Sequence, residues 1–298
     1  MAKGEIIFNS KQNTSIVVTT YNPEVESLEK NLISYASQAG VVLICDNSDI
    51  LSIQRSIENL ITKFVNVTLL SMNGNQGIAI AQNHGIKYAI DKGFEYFIEV
   101  DQDSSFPPDY VAKISDSYFN LIGNGESVAG LGPLAVRADG FVYNGNKELA
   151  HIICVDKTLS SGFFFPKSSF QIVGPKDESL FIDYVDWEWC WRSKSYGLNV
   201  FIDTNLRIEH MLGSGHIKTL NFYVGLPAPI RHYYQFRNAF YLFFRGYIPV
   251  AWRIKRVFIN IIKLPIYSFF VGDSKLRRKY IFKAFKDVVA KKTGKIKL

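Results

Sequence analysis

The first half of the chain alternates short apolar runs with amphipathic stretches. Four of the runs have the length and composition of buried β-strands: Ser15–Thr20, Val41–Cys45, Val67–Ser71 and Tyr96–Val100. The stretches between them are long enough for helices, and Gly77–Lys92 is the clearest. Strands that alternate with helices form βαβ units, in which helices cover a sheet of parallel strands. The sequence therefore predicts an α/β fold with a Rossmann-like, mostly parallel sheet that is flanked by helices.

The second half of the chain has a less regular pattern. Three short runs are predicted strands at the flanks of the sheet: Gly130–Pro133, Ser161–Pro166 and Val200–Asp203. Asp183–Tyr196 is a predicted helix that ends at Gly197. A chain of 298 residues has room for one sizeable domain and an appendage. We predict an α/β domain over residues 1–220, with halves at about 1–105 and 106–220, and a helical, basic and aromatic-rich C-terminal extension over 221–298.

Positive charge is concentrated at the C-terminal end. Residues 253–298 contain 14 Lys and Arg against two acids, whereas residues 1–252 contain 20 basic and 25 acidic side chains. Such a tail suits an anionic surface, either phospholipid or nucleic acid. Trp252–Val271 is apolar but is interrupted by charges and by Pro265, so its longest uninterrupted apolar stretch is shorter than the about 20 residues that span a bilayer. We therefore predict a peripheral anchor on an anionic membrane; a helical cap or a contact in a homo-oligomer is the alternative.

The three cysteines and the N-terminus indicate the compartment. Cys45, Cys154 and Cys190 lie far apart and form no C-x-x-C pair, so we expect reduced thiols, with neither a disulfide framework nor a zinc site. Met1–Ser10 lacks the basic start, apolar core and cleavage site of a signal peptide. These features predict a cytoplasmic protein on the inner face of the cell membrane.

Polar residues follow three of the predicted strands. Thr20-Tyr21-Asn22, Asp46 and Asp101-Gln102-Asp103 stand at strand carboxyl ends, which is where open α/β sheets bind ligands. Two carboxylates one residue apart on a turn can hold Mn²⁺ or Mg²⁺ together with substrate phosphates. Surface loops often contain such a triplet by chance, but its place after an apolar strand favours a metal site. His210 follows another apolar run and is either a further metal ligand or a structural histidine.

Two further segments are candidates for substrate contact. Asn75–Gly85 has small and amide residues that let a helix start approach a nucleotide or let the helix pack tightly on the sheet, and both can hold at once. Phe181–Arg192 sets Asp183, Asp186 and Glu188 among three tryptophans. On a helix, Asp183 and Asp186 share a face. An acid among aromatics loses hydration, so its pKa rises toward that of a general base. The alternative is that the tryptophans are core and that the acids pair with Arg192 or Lys194.

Taken together, these segments resemble the GT-A family 2 glycosyltransferases, and most closely their rhamnosyltransferase-like branch. The resemblance covers roughly residues 14–240. It is carried by Val17–Asn22, Asp46-Asn47-Ser48, Asn75–Gly85, Asp101–Ser104, Asp186–Trp189 with Arg192, and His210 with Gly213.

The resemblance implies a role for each matching residue. The nucleotide-sugar site would contain Thr20, Tyr21, Asn22, Asp46, Asn75, Gly77, Asp101 and Arg192. In it, Asp46 would accept a hydrogen bond from N3–H of a uracil or thymine base, and Asp101 would face the ribose. Asp103 and His210, with Asp101, would bind the metal on the diphosphate. Asp186 would deprotonate the acceptor hydroxyl. Arg192 would fix the helix or touch the phosphates, and Arg231 and Arg237-Asn238 would lie near the diphosphate or the acceptor.

The function implied by the resemblance is that of an inverting, metal-dependent glycosyltransferase. It would move L-rhamnose from dTDP-rhamnose to an O-antigen, capsule or other bacterial cell-surface glycan acceptor. The predicted membrane anchor would bring the active site to a lipid-linked form of this acceptor. Residues 1–105 would then hold the nucleotide sugar and residues 106–220 the acceptor. Trp187 and Trp191 make the acceptor helix bulkier than the family pattern, so a UDP-linked glucose, galactose or galactofuranose is the alternative donor.

Two other classes of protein fit less well. A nucleotidyltransferase needs a glycine-rich and basic N-terminal loop for a triphosphate, and Thr14–Glu24 contains no Lys or Arg. A nucleic-acid-binding protein would use the basic tail, but the acids at the strand ends would then have no purpose. We therefore expect no nucleic-acid partner.

Overall fold

A computed structural model describes residues 10–136, 142, 151–210, 216–219 and 222–297. The strands are β1 (Thr14–Thr20), β2 (Val41–Asp46), β3 (Val67–Ser71), β4 (Tyr96–Asp101), β5 (Ser104–Ser105), β6 (Val128–Val136), β7 (Ile152–Val155), β8 (Phe163–Pro166), β9 (Asn199–His210), β10 (His216–Thr219) and β11 (Phe222–Gly225). The helices are α1 (Ser10–Asn13), α2 (Val25–Tyr35), α3 (Leu51–Ile61), α4 (Ile78–Asp91), α5 (Tyr110–Gly123), α6 (Lys167–Val173), α7 (Val185–Ser195), α8 (Pro229–Phe243), α9 (Val250–Pro265) and α10 (Ser274–Val289).

The main sheet has the strand order β3-β2-β1-β4-β8-β6-β9-β5, and β7 also pairs with β9. The first four strands are parallel, as predicted. The second half is mixed, because β8 runs antiparallel to β4 and β6 while β6 and β9 are parallel. The predicted α/β architecture is confirmed, and its parallel part is concentrated in the first half of the chain.

Helices cover both faces of the sheet because alternate residues of each strand point to opposite sides. On β1, Ile16 and Val18 join a core with α2 and α5, whereas Val17 joins a second core with α4 and α7. All seven residues of β1 are buried, which is typical of a central parallel strand. The second core places α4 and α7 on the same side of the sheet.

The helix predicted at Asp183–Tyr196 begins later than expected. Asp183 and Tyr184 adopt left-handed backbone conformations, with φ of 67° and 69°, and α7 begins at Val185. The expectation that Asp183 and Asp186 share a helix face is therefore wrong. Asp183 belongs to the loop before the helix, where its direction is set by other contacts.

The C-terminal extension packs on the rest of the chain. Tyr233 and Tyr234 of α8 share a core with Phe181 of the loop before α7, and with Ile281 and Ala284 of α10. No residue of α9 is buried, and none of the described helices is long and apolar enough to cross a membrane. The helical part begins at Pro229, after the β10–β11 hairpin. The division at residue 220 stays a prediction.

Close contact between α4 and the sheet depends on Gly85. A Cβ at this position would lie 2.5 Å from Val17 Cγ1 and 2.6 Å from Cys45 Sγ, both in the sheet. Contacts this short force neighbouring atoms to move, and both neighbours are buried. The helix can approach β1 and β2 to this distance only without a side chain at residue 85.

We predict that Gly85→Ala lowers the free energy of unfolding by about 1–3 kcal/mol, which is the usual cost of overpacking a core. Gly123→Ala is the matched control, because a Cβ there meets no atom within 4 Å. Since Gly123 is the last residue of α5, we expect the control to be neutral or slightly stabilising. Urea denaturation of the two variants measures the difference, and equal stability would contradict the packing argument.

Candidate active site

The carboxyl ends of the central strands meet at one edge of the sheet. In the register, Thr20 of β1 lies beside Asp46 of β2, and Thr19 lies beside Asp101 of β4. The chain order reverses direction at β1, which has β2 on one side and β4 on the other. This is the topological switch point at which open α/β sheets bind ligands. Three segments of the predicted site therefore come together as expected.

Asp46 is buried and held by hydroxyl groups. Its Oδ1 accepts hydrogen bonds from Thr20 Oγ1 at 2.7 Å and from Ser48 Oγ at 2.6 Å. Among the described residues, no group donates to Oδ2. The carboxylate is thus fixed by one oxygen, and the other is the acceptor that the predicted contact with a base requires.

Asn22 and Tyr21 tie the β1 loop to neighbouring loops. Asn22 has a φ of 44°, and its Nδ2 donates to Asp49 Oδ1 at 2.7 Å. The Tyr21 hydroxyl donates to Asp49 Oδ2 at 3.1 Å, and its backbone N–H donates to Gln102 Oε1 at 2.7 Å. The Tyr21 ring is 44% exposed, so it is available to a ligand.

The loop before α4 is organised by amide side chains. Asn75 Oδ1 accepts from Gly77 N at 3.0 Å, and Asn47 Nδ2 donates to the Gly77 carbonyl at 3.1 Å. A Cβ on Gly77 would lie 2.6 Å from the Phe181 ring, and Ile78 N donates to the Phe181 carbonyl at 2.8 Å. Gly77 therefore serves the approach of Phe181 and not packing on the sheet, which Gly85 provides. The Gly77 and Ile78 amides are bonded to Asn75 and to Phe181, and the contact of Gly77 with a nucleotide stays a prediction.

A cavity of about 290 Å³ opens beside the switch point. Its volume is near the lower end for ligand pockets. Asp101 and Asp186 both line it, together with Trp187, Arg231 and residues of α4 and α9. The structure thus brings the end of β4 and the start of α7 to one space. The residues around Asp46 lie at the same sheet edge but do not line this cavity.

Asp186 is half-buried in the first turn of α7. Burial raises the pKa of its carboxyl to about 7, and the negative charge of Asp101 adds to the rise. The Trp187 N–H, which donates to Oδ1 at 2.9 Å, and the Lys176 ammonium act in the opposite direction. A carboxylate that titrates near neutrality in a cavity has the property of a general base.

The neighbouring acids and tryptophans of α7 have structural contacts. Glu188 is buried and binds Arg192 Nε at 2.8 Å, and Arg192 also donates to the Val173 and Pro175 carbonyls. Trp189 and Trp191 are buried in the core. The interpretation that the tryptophans are core and that an acid pairs with Arg192 therefore holds for Glu188, Trp189 and Trp191. Asp186 and Trp187 instead face the cavity. Arg192 does not line the cavity and fixes the helix, so the contact with phosphates that was expected of it has no support here.

The loop before α7 is held by α8. Asn238 Nδ2 donates to the carbonyls of Leu180, Ile182 and Asp183, at 2.8–3.2 Å. Arg237, which is fully buried, donates to the carbonyls of Ser179 and Leu180, both at 3.1 Å. These two residues were expected near the diphosphate or acceptor, but their side chains contact backbone. They position the segment that carries Asp186.

Arg231 at the start of α8 does line the cavity. Its guanidinium binds Asp183 with Nη2–Oδ1 at 2.6 Å and Nε–Oδ2 at 3.3 Å. Burial lowers the pKa of Arg231, but the Asp183 carboxylate outweighs this effect and raises the pKa, and Asp101 contributes to the rise. Arg231 thus carries its positive charge close to the carboxylates of Asp183 and Asp101. This placement fits the predicted position of Arg231 near the diphosphate.

The predicted metal ligands are divided between two spaces. Asp101 lines the first cavity, whereas Asp103 lines a second cavity, of about 350 Å³, together with Gln102 and Glu209. Ser104, the next residue, pairs with His210 through the backbone of β5 and β9. No group of three metal-binding side chains forms among those that the structure describes, and the His210 side chain and Gly213 lie outside them. Carboxylates of the kind at Asp101 and Asp103 suit a divalent metal, and the three-residue site stays a prediction.

Sequence reasoning missed a buried ion pair beneath the cavity. Lys176 Nζ lies 2.9 Å from Glu99 Oε2, and both side chains are almost fully buried. Burial raises the pKa of Glu99, and the Lys176 ammonium opposes that rise. A glutamate in the middle of an apolar strand was the available signal, because a buried charge needs a partner. The sequence also gave no sign that Arg256 and Lys263 of α9 line the catalytic cavity.

Comparison with known proteins agrees with this geometry. A model of glycosyl transferase family 2 matches residues 15–147. A Shigella flexneri protein named dTDP-rhamnosyl transferase RfbF is 33% identical over 264 residues, which cover 84% of this chain and 86% of that protein.

Two crystal structures share the fold. GalNAc-T7 with UDP, GalNAc and Mn²⁺ aligns with a TM-score of 0.60 at 14% identity, over 93% of this chain but only 56% of its own. TarS residues 1–349 from S. aureus, in complex with UDP-GlcNAc, aligns with a TM-score of 0.59 at 14% identity, over 93% and 80% of the two chains. The predicted GT-A fold is confirmed. Given this fold and the relative that matches most of both chains, the chain belongs to glycosyl transferase family 2 and is a glycosyltransferase.

Proposed function

We propose that this enzyme transfers L-rhamnose from dTDP-rhamnose, with inversion, to a hydroxyl of a bacterial cell-surface glycan such as an O-antigen or capsule. The observation that carries the proposal is the Asp186 carboxyl, which has a pKa of about 7 and shares a cavity with Asp101 at the switch point of the sheet. The identity to a dTDP-rhamnosyl transferase supports the choice of donor. UDP-linked hexoses are the alternative donors.

The donor nucleotide lies at the sheet edge in this proposal. Asp46 presents Oδ2 to N3–H of the base, and its fixed position comes from Thr20 and Ser48. Tyr21 covers the base with its exposed ring, and Asn22 and Asn75 keep the surrounding loops in place. A preorganised acceptor of this kind limits the entropy that is lost on binding.

The diphosphate is the part of the donor that needs positive charge. Asp101 and Asp103 would hold Mn²⁺ or Mg²⁺ with His210, and the bound ion would neutralise charge on the leaving nucleoside diphosphate. Arg231 supplies a fixed positive charge at the cavity wall, where Asp183 orients its guanidinium. The acids and the arginine of this chain therefore surround one anionic group.

Asp186 is the proposed base. Its carboxylate accepts the proton of the acceptor hydroxyl, whose oxygen then attacks the anomeric carbon from the face opposite the leaving group. The bond to the nucleoside diphosphate breaks as the new glycosidic bond forms, so the anomeric configuration inverts. Trp187 stands next to Asp186 on the cavity wall and offers an aromatic surface to a sugar ring.

The outer face of α9 supports membrane binding. Most of its exposed side chains are apolar. The large apolar ones are Val250, Ile254, Val257, Phe258, Ile261 and Ile262. We call these six residues the apolar face of α9. Such a patch on a protein surface marks an interaction site. With Arg253 and Lys255 on the same helix and a strongly basic tail around it, we propose that α9 lies in the interface of an anionic membrane on the cytoplasmic side.

We predict that dTDP-rhamnose gives the fastest release of nucleoside diphosphate among dTDP-rhamnose, UDP-glucose, UDP-galactose and UDP-galactofuranose in the presence of Mn²⁺. EDTA should abolish release, because without the metal ion the negative charge that develops on the leaving diphosphate is not neutralised. Chromatography of the released nucleotide measures the rates. A UDP-sugar as the best substrate would replace the proposed donor, and full activity in EDTA would contradict metal dependence.

We predict that Asp186→Asn lowers the rate of transfer by about 10²–10⁴-fold, as for the loss of a general base. The Kd for the nucleotide should stay unchanged. In the unmodified enzyme the rate should fall as the pH drops through about 7, because the protonated carboxyl cannot accept a proton, and should level off at higher pH.

The matched control for this prediction is Asp116→Asn, which removes an exposed acid on α5 and should keep the unmodified rate and pH profile. Initial rates between pH 5.5 and pH 9 test both variants. Transfer by Asp186→Asn at near the unmodified rate would remove the assignment of the base.

We predict that Phe258→Ser with Ile262→Ser weakens binding to vesicles that contain anionic lipid by at least about tenfold. The reason is that each large apolar side chain contributes roughly 1.5–3 kcal/mol when fully buried. Ile33→Ser with Leu51→Ser removes equally exposed apolar side chains from α2 and α3 and should leave binding unchanged. Co-sedimentation measures bound fractions, and equal binding by the two double variants would rule out the apolar face of α9 as the anchor.

A further inference from the structure

The inner face of α9 carries positive charge into the catalytic cavity. Arg256 and Lys263 line the cavity wall, and both come from the C-terminal extension. Arg231, which also lines it, is paired with Asp183. Arg256 and Lys263 form no ion pair with any acid in the part of the chain that the structure describes. Two cations thus face the cavity without a counter-charge from the described residues.

Arg256 is held in place by aromatic rings. Its guanidinium carbon lies 5.1 Å from the centre of the Tyr184 ring and 5.4 Å from that of Trp252. Its Nε is buried and has no hydrogen-bond partner among the described residues. A buried donor without a partner is costly, and stacked arginine is well suited to bind phosphate. The side chain is therefore oriented in advance, and its Nε faces no acceptor from the part of the chain that the structure describes.

One further cation, Lys157, lies against a residue of the cavity wall. Lys157 Nζ lies 4.5 Å from the centre of the Trp187 ring. Burial lowers the pKa of Lys157, and Arg256 and Lys255 lower it further, although Asp156 opposes them. The pKa of Lys263 is also lowered, by burial and then by Arg256. Like charges held together out of water favour the binding of an anion.

The two faces of α9 indicate where this anion comes from. Trp252, Arg256 and Lys263 lie on the inner face, whereas the apolar face of α9 points to solvent. A helix in the membrane interface has lipid headgroups beside it. In the proposed function the donor diphosphate is assigned to Asp101, Asp103 and Arg231, and Asp101 and Arg231 line the same cavity. This leaves Arg256 and Lys263 available to a second anion. An anion on α9 therefore belongs to a molecule that arrives from the membrane.

We propose that Arg256 and Lys263 form a phosphate subsite that binds the phosphate of a lipid-linked acceptor, in which a saccharide is joined to an alkyl chain through a phosphate or diphosphate ester. This inference rests on the proposed function, since it names the chemical class of the acceptor at the same site. The apolar face of α9 contacts the membrane that holds the alkyl chain, and the inner face holds the phosphate. The saccharide is then placed beside Asp186.

The test measures binding of decyl diphosphate, below its micelle concentration and in EDTA, by isothermal titration calorimetry. We expect Arg256→Gln with Lys263→Gln to raise its Kd at least about tenfold, because charge-assisted hydrogen bonds to phosphate are lost. Lys286→Gln with Lys291→Gln removes two exposed cations of the extension that do not line the cavity, and it should change the Kd less than twofold. The Kd for dTDP in Mn²⁺ should stay within about threefold in both variants.

The outcomes separate the two sources of phosphate. Weaker binding of dTDP with unchanged binding of decyl diphosphate would assign the two cations to the donor and overturn the proposal. Equal affinity of all three proteins for decyl diphosphate would overturn it as well. The charge-preserving exchange of Arg256→Lys with Lys263→Arg should retain binding within about threefold, and its failure to do so would show a structural role instead. Because no titration requires turnover of dTDP-rhamnose, a wrong donor assignment leaves this result readable.

Discussion

The active site depends on the contact of Asn238 and Arg237 with the loop at residues 179–184. Phe181, Asp183 and Tyr184 have left-handed backbone conformations although none is glycine, and each such residue costs roughly 1–3 kcal/mol. Five hydrogen bonds from the two α8 side chains to loop carbonyls stabilise the strained path. Because α7 begins at the end of this loop, the same contact determines where Asp186 stands. This contact acts together with the Ile78 N–H, which donates to the Phe181 carbonyl, to hold the loop that precedes α7.

The strands and the convergence of their ends were predictable from the sequence because they follow from local patterns. A run such as Val41–Cys45 can only be a buried strand, and parallel strands bring Thr20, Asp46 and Asp101 to one edge. The start of α7 was not predictable in this way. The conformation of Asp183 is set by Asn238, 55 residues later in the chain, and no local pattern reports such a contact. The close contact of Gly77 with Phe181 was not predictable either, because the two residues are far apart in the sequence.

The roles within α7 follow from helix geometry. Asp186 and Glu188 are two residues apart, so they point to nearly opposite sides of the helix. Glu188 turns inward, where Arg192 and the Tyr247 hydroxyl, at 2.6 Å, satisfy its charge. Asp186 turns to the cavity, where burial raises its pKa and no arginine of the described residues forms an ion pair with it. One acid anchors the helix and the other remains available to a substrate. The sequence contained both interpretations, and only the direction of each side chain separates them.

The extension is part of the active site and not an appendage beside it. A surface helix normally buries its apolar face and exposes its charges, but α9 does the reverse. Its inner positions carry Arg256 and Lys263 to the cavity, and the Trp252 ring packs against Trp191 with ring centres 4.8 Å apart and planes tilted by 56°. A cap whose only purpose was to cover the domain would have apolar side chains at positions 256 and 263 as well as at Trp252. The inverted arrangement fits the proposal that a membrane covers the outer face of α9 and that an anion binds at the inner face.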